Sequence, residues 1–82
     1  MKLYLVHLHP TDVNDPRVVI VTVAAYNPKQ ARDLVNLEVA RVYDTHVSRV
    51  YRLPREEFEP DNPELYEEFL HMTEPKVLAV SD

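Results

Sequence analysis

The sequence predicts a small α+β domain: a mainly antiparallel sheet with a β-β-α-β core, strand order 2-1-3, and one helix packed on a face. Three observations carry that prediction. A run of β-branched residues, Val18 to Val23, leads through Asn27-Pro28 directly into a helical pattern. A strand-like alternation precedes this unit at Lys2–His9, and another follows it at His46–Leu53. The segment PTDVNDP, residues 10–16, is a short polar loop bracketed by two prolines, which favours an antiparallel hairpin between the first two strands.

In the first strand, Tyr4, Val6 and Leu8 fall on one face, and Leu3, Leu5, His7 and His9 on the other. The second strand, Arg17–Ala25, is apolar on both faces, as expected for a strand covered on both sides or lying beside a dimer contact. Asn27 is placed to cap the helix, with Pro28 at its first position and Gln30 two residues on. At 100° per residue, Ala31, Leu34, Val35, Val39 and Val42 form one stripe facing the sheet. Glu38 projects into the middle of that stripe, so either the helix stops near Leu37 or Glu38 has a partner, with Arg49 or His46 the candidates. In the third strand, Val47, Arg49, Tyr51 and Leu53 alternate against His46, Ser48, Val50 and Arg52. A right-handed crossover makes it parallel to the second strand and hence antiparallel to the first.

Beyond Pro54, Asn62 is placed to cap a short second helix starting at Pro63. Leu65, Phe69 and Met72 lie on one side of it, and Glu64, Glu67, Glu68 and His71 on the other. Lys76–Val80 then reads as a short strand at a sheet edge or as a tail that orders in a dimer.

The 82 residues form one domain, with residues 1–53 as the core and 54–82 as an acidic C-terminal segment. A chain of this length buries only about 60–65% of its unfolded surface. Together with the doubly apolar strand, this predicts a homodimer. The absence of cysteine excludes disulfide and thiolate-metal frameworks and fits the cytoplasm, or host cytoplasm for a viral protein. No apolar run approaches a membrane span, so no membrane partner is expected. Glycine is also absent, which excludes phosphate-cradling glycine loops and leaves the turns to Asn, Asp and Pro. No cofactor is expected.

Charge is segregated. Residues 1–55 carry eight basic and five acidic side chains; residues 56–82 carry one basic and nine acidic. Seven acids lie between Glu56 and Glu68 with no base among them, enough for a local negative field. The candidate partner-binding surface is therefore Glu56, Glu57, Glu59, Asp61, Glu64, Glu67 and Glu68, with Phe58 and Tyr66 as interleaved apolar anchors. It is suited to imitate phosphates on a basic groove of a protein partner. A competing surface, Arg41, Arg49, Tyr51, Arg52 and Arg55, combines cations with a stacking ring and can contact nucleic acid, although the net charge of −5 opposes long-range steering toward phosphate. A third possibility starts from His7 and His9, which point the same way on a strand and are spaced to share a metal ion, with His46 or Glu38 as a third ligand in a small metal-dependent hydrolase. HLHPTD is similar to the opening of metal-dependent phosphoesterases, but those enzymes need several further motifs and a much longer chain.

The stretches MKLYLV, VTVAAYNPKQARDLV and VSRVYRL, in this order, resemble small phage-encoded β-β-α-β proteins, among them anti-CRISPR inhibitors. The resemblance covers roughly residues 1–53 and implies a non-enzymatic inhibitor that binds the protein surface of a host effector; it carries over no functional residue. A core this small leaves little room for a catalytic pocket. The reading that results is a protein-binding module, with nucleic-acid binding as the alternative and metal-dependent hydrolysis after that.

Overall fold

A computed structural model describes residues 1–81. It contains strand β1 (Lys2–Pro10), β2 (Val19–Ala25), helix α1 (Pro28–Val35) continued by a π-helical segment (Asn36–Ala40), β3 (Thr45–Arg52), α2 (Arg55–Phe58), α3 (Pro63–Leu70) and β4 (Lys76–Ser81). The strands form one sheet in the order β3-β1-β2-β4, every neighbouring pair antiparallel. This is the α+β architecture expected, with 2-1-3 at its centre and the edge strand on β2.

The β1–β2 hairpin has no glycine, and its loop is held by carboxylates instead. Asp12 accepts from the Asn14 amide at 2.9 Å, and Asp15 accepts from the Arg17 amide at 3.0 Å while forming a 2.8 Å ion pair with the Arg17 guanidinium. β2 begins at Val19, two residues later than predicted, because Arg17 is engaged in this loop. At the other end of the helical unit Asp44 takes the left-handed conformation, φ 53°, that glycine usually fills, and its carbonyl accepts from the Thr11 amide at 3.1 Å.

The helix start is built as predicted and reciprocally. Asn27 Oδ1 accepts from the Gln30 amide at 2.8 Å, and Gln30 Oε1 accepts from the Tyr26 amide at 2.7 Å, so two otherwise unmatched donors are satisfied. Its far end differs from both alternatives offered for Glu38. The chain neither stops at Leu37 nor buries Glu38; it widens into the π-helical segment. Val39 and Ala40 thereby follow Val35 into the core, while Glu38 is exposed and Val42, expected in the stripe, is 77% exposed. Among the described residues Glu38 has no salt-bridge partner, and Arg49 and His46 lie on the opposite side of the sheet.

Two cores flank the sheet. On one face α1 and the π-helical segment pack on Tyr4, Val6, Leu8, Val19, Val21 and Val23. The largest fully enclosed side chains belong to this layer, and each aliphatic one contributes roughly 1.5–3 kcal/mol by leaving water. On the other face α2 and α3 bring Phe58 and Tyr66 onto Leu3, Ala24 and Leu53, covering one end only. The apolar second strand thus has a helical cover on one face and half a cover on the other. The argument for a homodimer made from two apolar faces applies only to the uncovered half.

Two bulges decide which residues share that half. In β3 the register against β1 shifts at Ser48: Val47 opposes Leu8, but Arg49 opposes His7. The alternation expected for this strand is therefore corrected. Val47 and Val50 both face α1, and His46 joins Arg49, Tyr51 and Leu53 on the other side. A second shift in β4 places Leu78 beside Ala79 on the α3 side.

Candidate binding surfaces

The acidic segment folds as two short helices. Pro54 precedes α2 as its N-cap, a turn of helix that the sequence reading did not include. Asn62 does not cap α3 through its side chain as expected; its Nδ2 donates to the Phe58 carbonyl at 3.3 Å and closes α2 instead. The predicted division of α3 holds: Leu65, Phe69 and Met72 pack against the sheet, and Glu64, Glu67 and Glu68 are exposed. Two members of the candidate surface are corrected. Phe58 and Tyr66 are 4% and 8% exposed, with ring centroids 6.3 Å apart inside the second core, so they anchor the helices to the sheet and not to a partner. Burying an aromatic ring in a domain this small is worth more than leaving it for a partner. The exposed apolar residue among the acids is Leu70, at 56%.

The acids divide into two groups. Glu59 pairs with Arg55 at 2.8 Å, Glu67 with His71 at 3.2 Å and Glu68 with Lys76 at 3.4 Å. Glu56, Glu57, Asp61 and Glu64 are exposed and make no salt bridge among the described residues. These four are the acids of the surface outside the salt bridges; Glu56 still feels the Arg55 charge, and Glu67 is neutralised only when His71 is protonated.

The arginine group is dispersed. Arg55 stays in the acidic segment, its guanidinium 5.4 Å from the Tyr66 ring centroid and raised in pKa chiefly by its hydrogen bonds with Glu59. Arg52 opposes Tyr4 on the α1 side, and Arg41 follows the π-helical segment. Only Arg49 and Tyr51 meet, the guanidinium Nη1 donating to the Tyr51 hydroxyl at 3.2 Å, a bond that raises the pKa of Arg49.

Around this pair gather the histidines that the sequence offers as a separate candidate group. Tyr51 makes an edge contact with His7, centroids 4.9 Å apart, and His9 lies 6.3 Å from His46 on the next rung. The same direction for His7 and His9 was legible from their spacing. His46 is a candidate third member in the sequence, but the alternation of its strand puts it on the opposite face, and only the Ser48 bulge brings it to this one. A metal centre does not assemble here: Glu38 lies across the sheet, and among the described residues no three His, Cys, Asp or Glu side chains converge as ligands. A groove lies elsewhere, between α1 and Pro75, where its charged pair, Lys29 and Asp33, is joined at 2.9 Å.

Among the described residues no helix is long and apolar enough to cross a membrane. Comparison with known proteins finds no matching family model, no matching curated protein and no matching solved structure, so these comparisons do not bear on the resemblance to phage-encoded inhibitors.

Proposed function

We propose that this chain is a small non-enzymatic protein-binding module whose contact surface is the acidic face of α2 and α3, directed at a basic surface on its partner. The observation that carries this reading is the group Glu56, Glu57, Asp61 and Glu64, exposed and without salt bridges on two helices and the turn between them, held to the sheet by Phe58 and Tyr66. A disordered acidic tail loses conformational freedom on binding, whereas carboxylates on fixed helices lose less and present one charge pattern. Leu70, exposed at the C-terminal end of α3, supplies an apolar contact on the same helix. A basic partner surface of this kind is what nucleic-acid-processing complexes offer to phosphate. In this reading the chain is an inhibitor from a phage or mobile element that occupies such a groove inside the host cytoplasm.

The test is capture of partners from host lysate by the native chain and by a variant with Glu56, Glu57, Asp61 and Glu64 all changed to Lys. Glu56, Glu57 and Glu64 lie in the first turns of their helices, where each reversal costs about 0.3–1 kcal/mol, so circular dichroism is used to establish that the variant is folded at the capture temperature. The expected result is a basic protein retained by the native chain and lost, by tenfold or more, from the variant. Equal retention by a folded variant would remove the acidic face from the reading.

A further inference from the structure

The half of the second sheet face that α2 and α3 leave uncovered has its own chemistry. On the α1 side Val6, Val19 and Val21 are fully buried, whereas directly across the sheet His7, Ile20 and Thr22 remain half-buried. The β1–β3 register sets three rungs on this half: His9 with His46, His7 with Arg49, and Leu5 with Tyr51. Successive rungs on one face are two residues, or about 7 Å, apart. None of the described residues in these rungs, or at Ile20 and Thr22 beside them, is a carboxylate. A chain with net charge −5 therefore places a cation and four flat rings on one patch whose rungs hold no acid among the described residues.

The geometry of the patch is ordered. Tyr51, 39% exposed, is braced at its edge by His7, and its hydroxyl accepts from Arg49, which holds the guanidinium along the sheet surface. His9 and His46 are both exposed at the outer rung. Flat rings alternating with donors on an open sheet suit a ligand that presents both π-faces and anionic oxygens. Single-stranded nucleic acid presents both, while a duplex hides the faces of its bases within the stack.

We propose that the uncovered half of the sheet, through His7, His9, His46, Arg49 and Tyr51, is a docking surface for single-stranded nucleic acid, with bases stacking on Tyr51 and the histidine rings and phosphate held by Arg49. Charge complementarity selects this occupant over a second copy of the chain, which would have to desolvate the Arg49 cation with no carboxylate in the facing rungs. The surface shares no residue with the acidic face, so it stands or falls separately from the protein-binding reading. Few phosphates are engaged and the overall charge is negative, so binding is expected at low salt and to weaken as salt rises.

The test uses the whole chain and dye-labelled twelve-nucleotide mixed-sequence DNA and RNA strands, single and duplex, read by fluorescence anisotropy at 20 and 150 mM salt. Single strands should bind and the duplex should bind at least tenfold more weakly. Tyr51→Ala should weaken single-strand binding by roughly five- to hundredfold. Tyr51→Phe should retain most of it, and Arg41→Ala, off the patch, should change little. Ring-proton NMR of the native protein provides a readout without a variant: the signals of His7, His9 and His46 should move on titration, while His71, on the acidic side, should not. Absence of single-strand binding at 20 mM salt overturns the proposal, as do equal duplex affinity, a shift confined to His71, or a concentration-dependent dimer abolished by Tyr51→Ala.

Discussion

Glu38 shows most directly what one residue can do to an element. An α-helix continued at 100° per residue would bury its carboxylate, and leaving water unpaired costs several kcal/mol, more than one irregular turn. The π-helical segment removes the conflict by turning Val39 and Ala40 inward. The conflict was legible in the sequence; its solution was not, because periodicity assumes a constant turn. With the carboxylate in solvent, Glu38→Gln should leave the thermal melt unchanged within about 0.5 kcal/mol. Asn27, in contrast, is a cap whose role was readable from Asn-Pro alone, and Asn27→Ala should destabilise by about 1 kcal/mol in a denaturant titration. Asp15 gives the pH-dependent counterpart. Hydrogen bonds from Arg17, side chain first and then backbone, hold its pKa below the ordinary 3.8. Its contribution to loop order is therefore present above the unfolded-state value and is lost as pH falls through the lower folded value. An NMR titration should place the Asp15 midpoint below 3.8, and Arg17→Ala should move it back up.

At the scale of elements, the last strand is one of two readings that its sequence allows, and a bulge breaks its period. The first strand and the first turns of the capped helix are legible from pattern because each obeys a single period. β3 does not. Its bulge at Ser48 divides it into two stretches of opposite parity, and no alternation rule applied across the whole strand assigns both correctly. Deleting Ser48 forces one stretch to change faces, exposing Val47 or Val50 and costing at least about 2 kcal/mol. Ser48→Ala loses only the hydroxyl bond to the His7 carbonyl, 3.2 Å, and should cost no more than about 1 kcal/mol. Comparison of the two variants by thermal denaturation separates the bulge from its hydrogen bond. The acidic helices carry a parallel lesson. Phe58 and Tyr66 were read as partner anchors because they sit among charges, but a lone face of sheet at Leu3, Ala24 and Leu53 claims them first. Phe58→Ala should therefore destabilise the fold by about 3–5 kcal/mol instead of only weakening capture.

In the whole molecule, one face of the sheet carries two kinds of surface, the acidic helices over one end and the histidine, arginine and tyrosine patch on the other half. The acidic run between Glu56 and Glu68 is brought onto one end of that face by its aromatic residues, with Arg55 and Lys76 paired at its margins. The local excess of acid was legible, since nothing in the run offers internal neutralisation beyond its margins. Which acids remain without salt bridges was not, because Arg55, His71 and Lys76 meet Glu59, Glu67 and Glu68 only through helix spacing and the return of β4. The central claim is that the remaining four carboxylates make the contact with a basic partner. The most direct measurement is zero-length carbodiimide coupling within the captured complex, which joins a carboxylate to a lysine touching it, followed by mass spectrometry of the linked peptides. The account predicts links from Glu56, Glu57, Asp61 or Glu64 to lysines of the partner; links only from Asp12, Asp33, Glu38 or Asp44, on the opposite part of the chain, would contradict it.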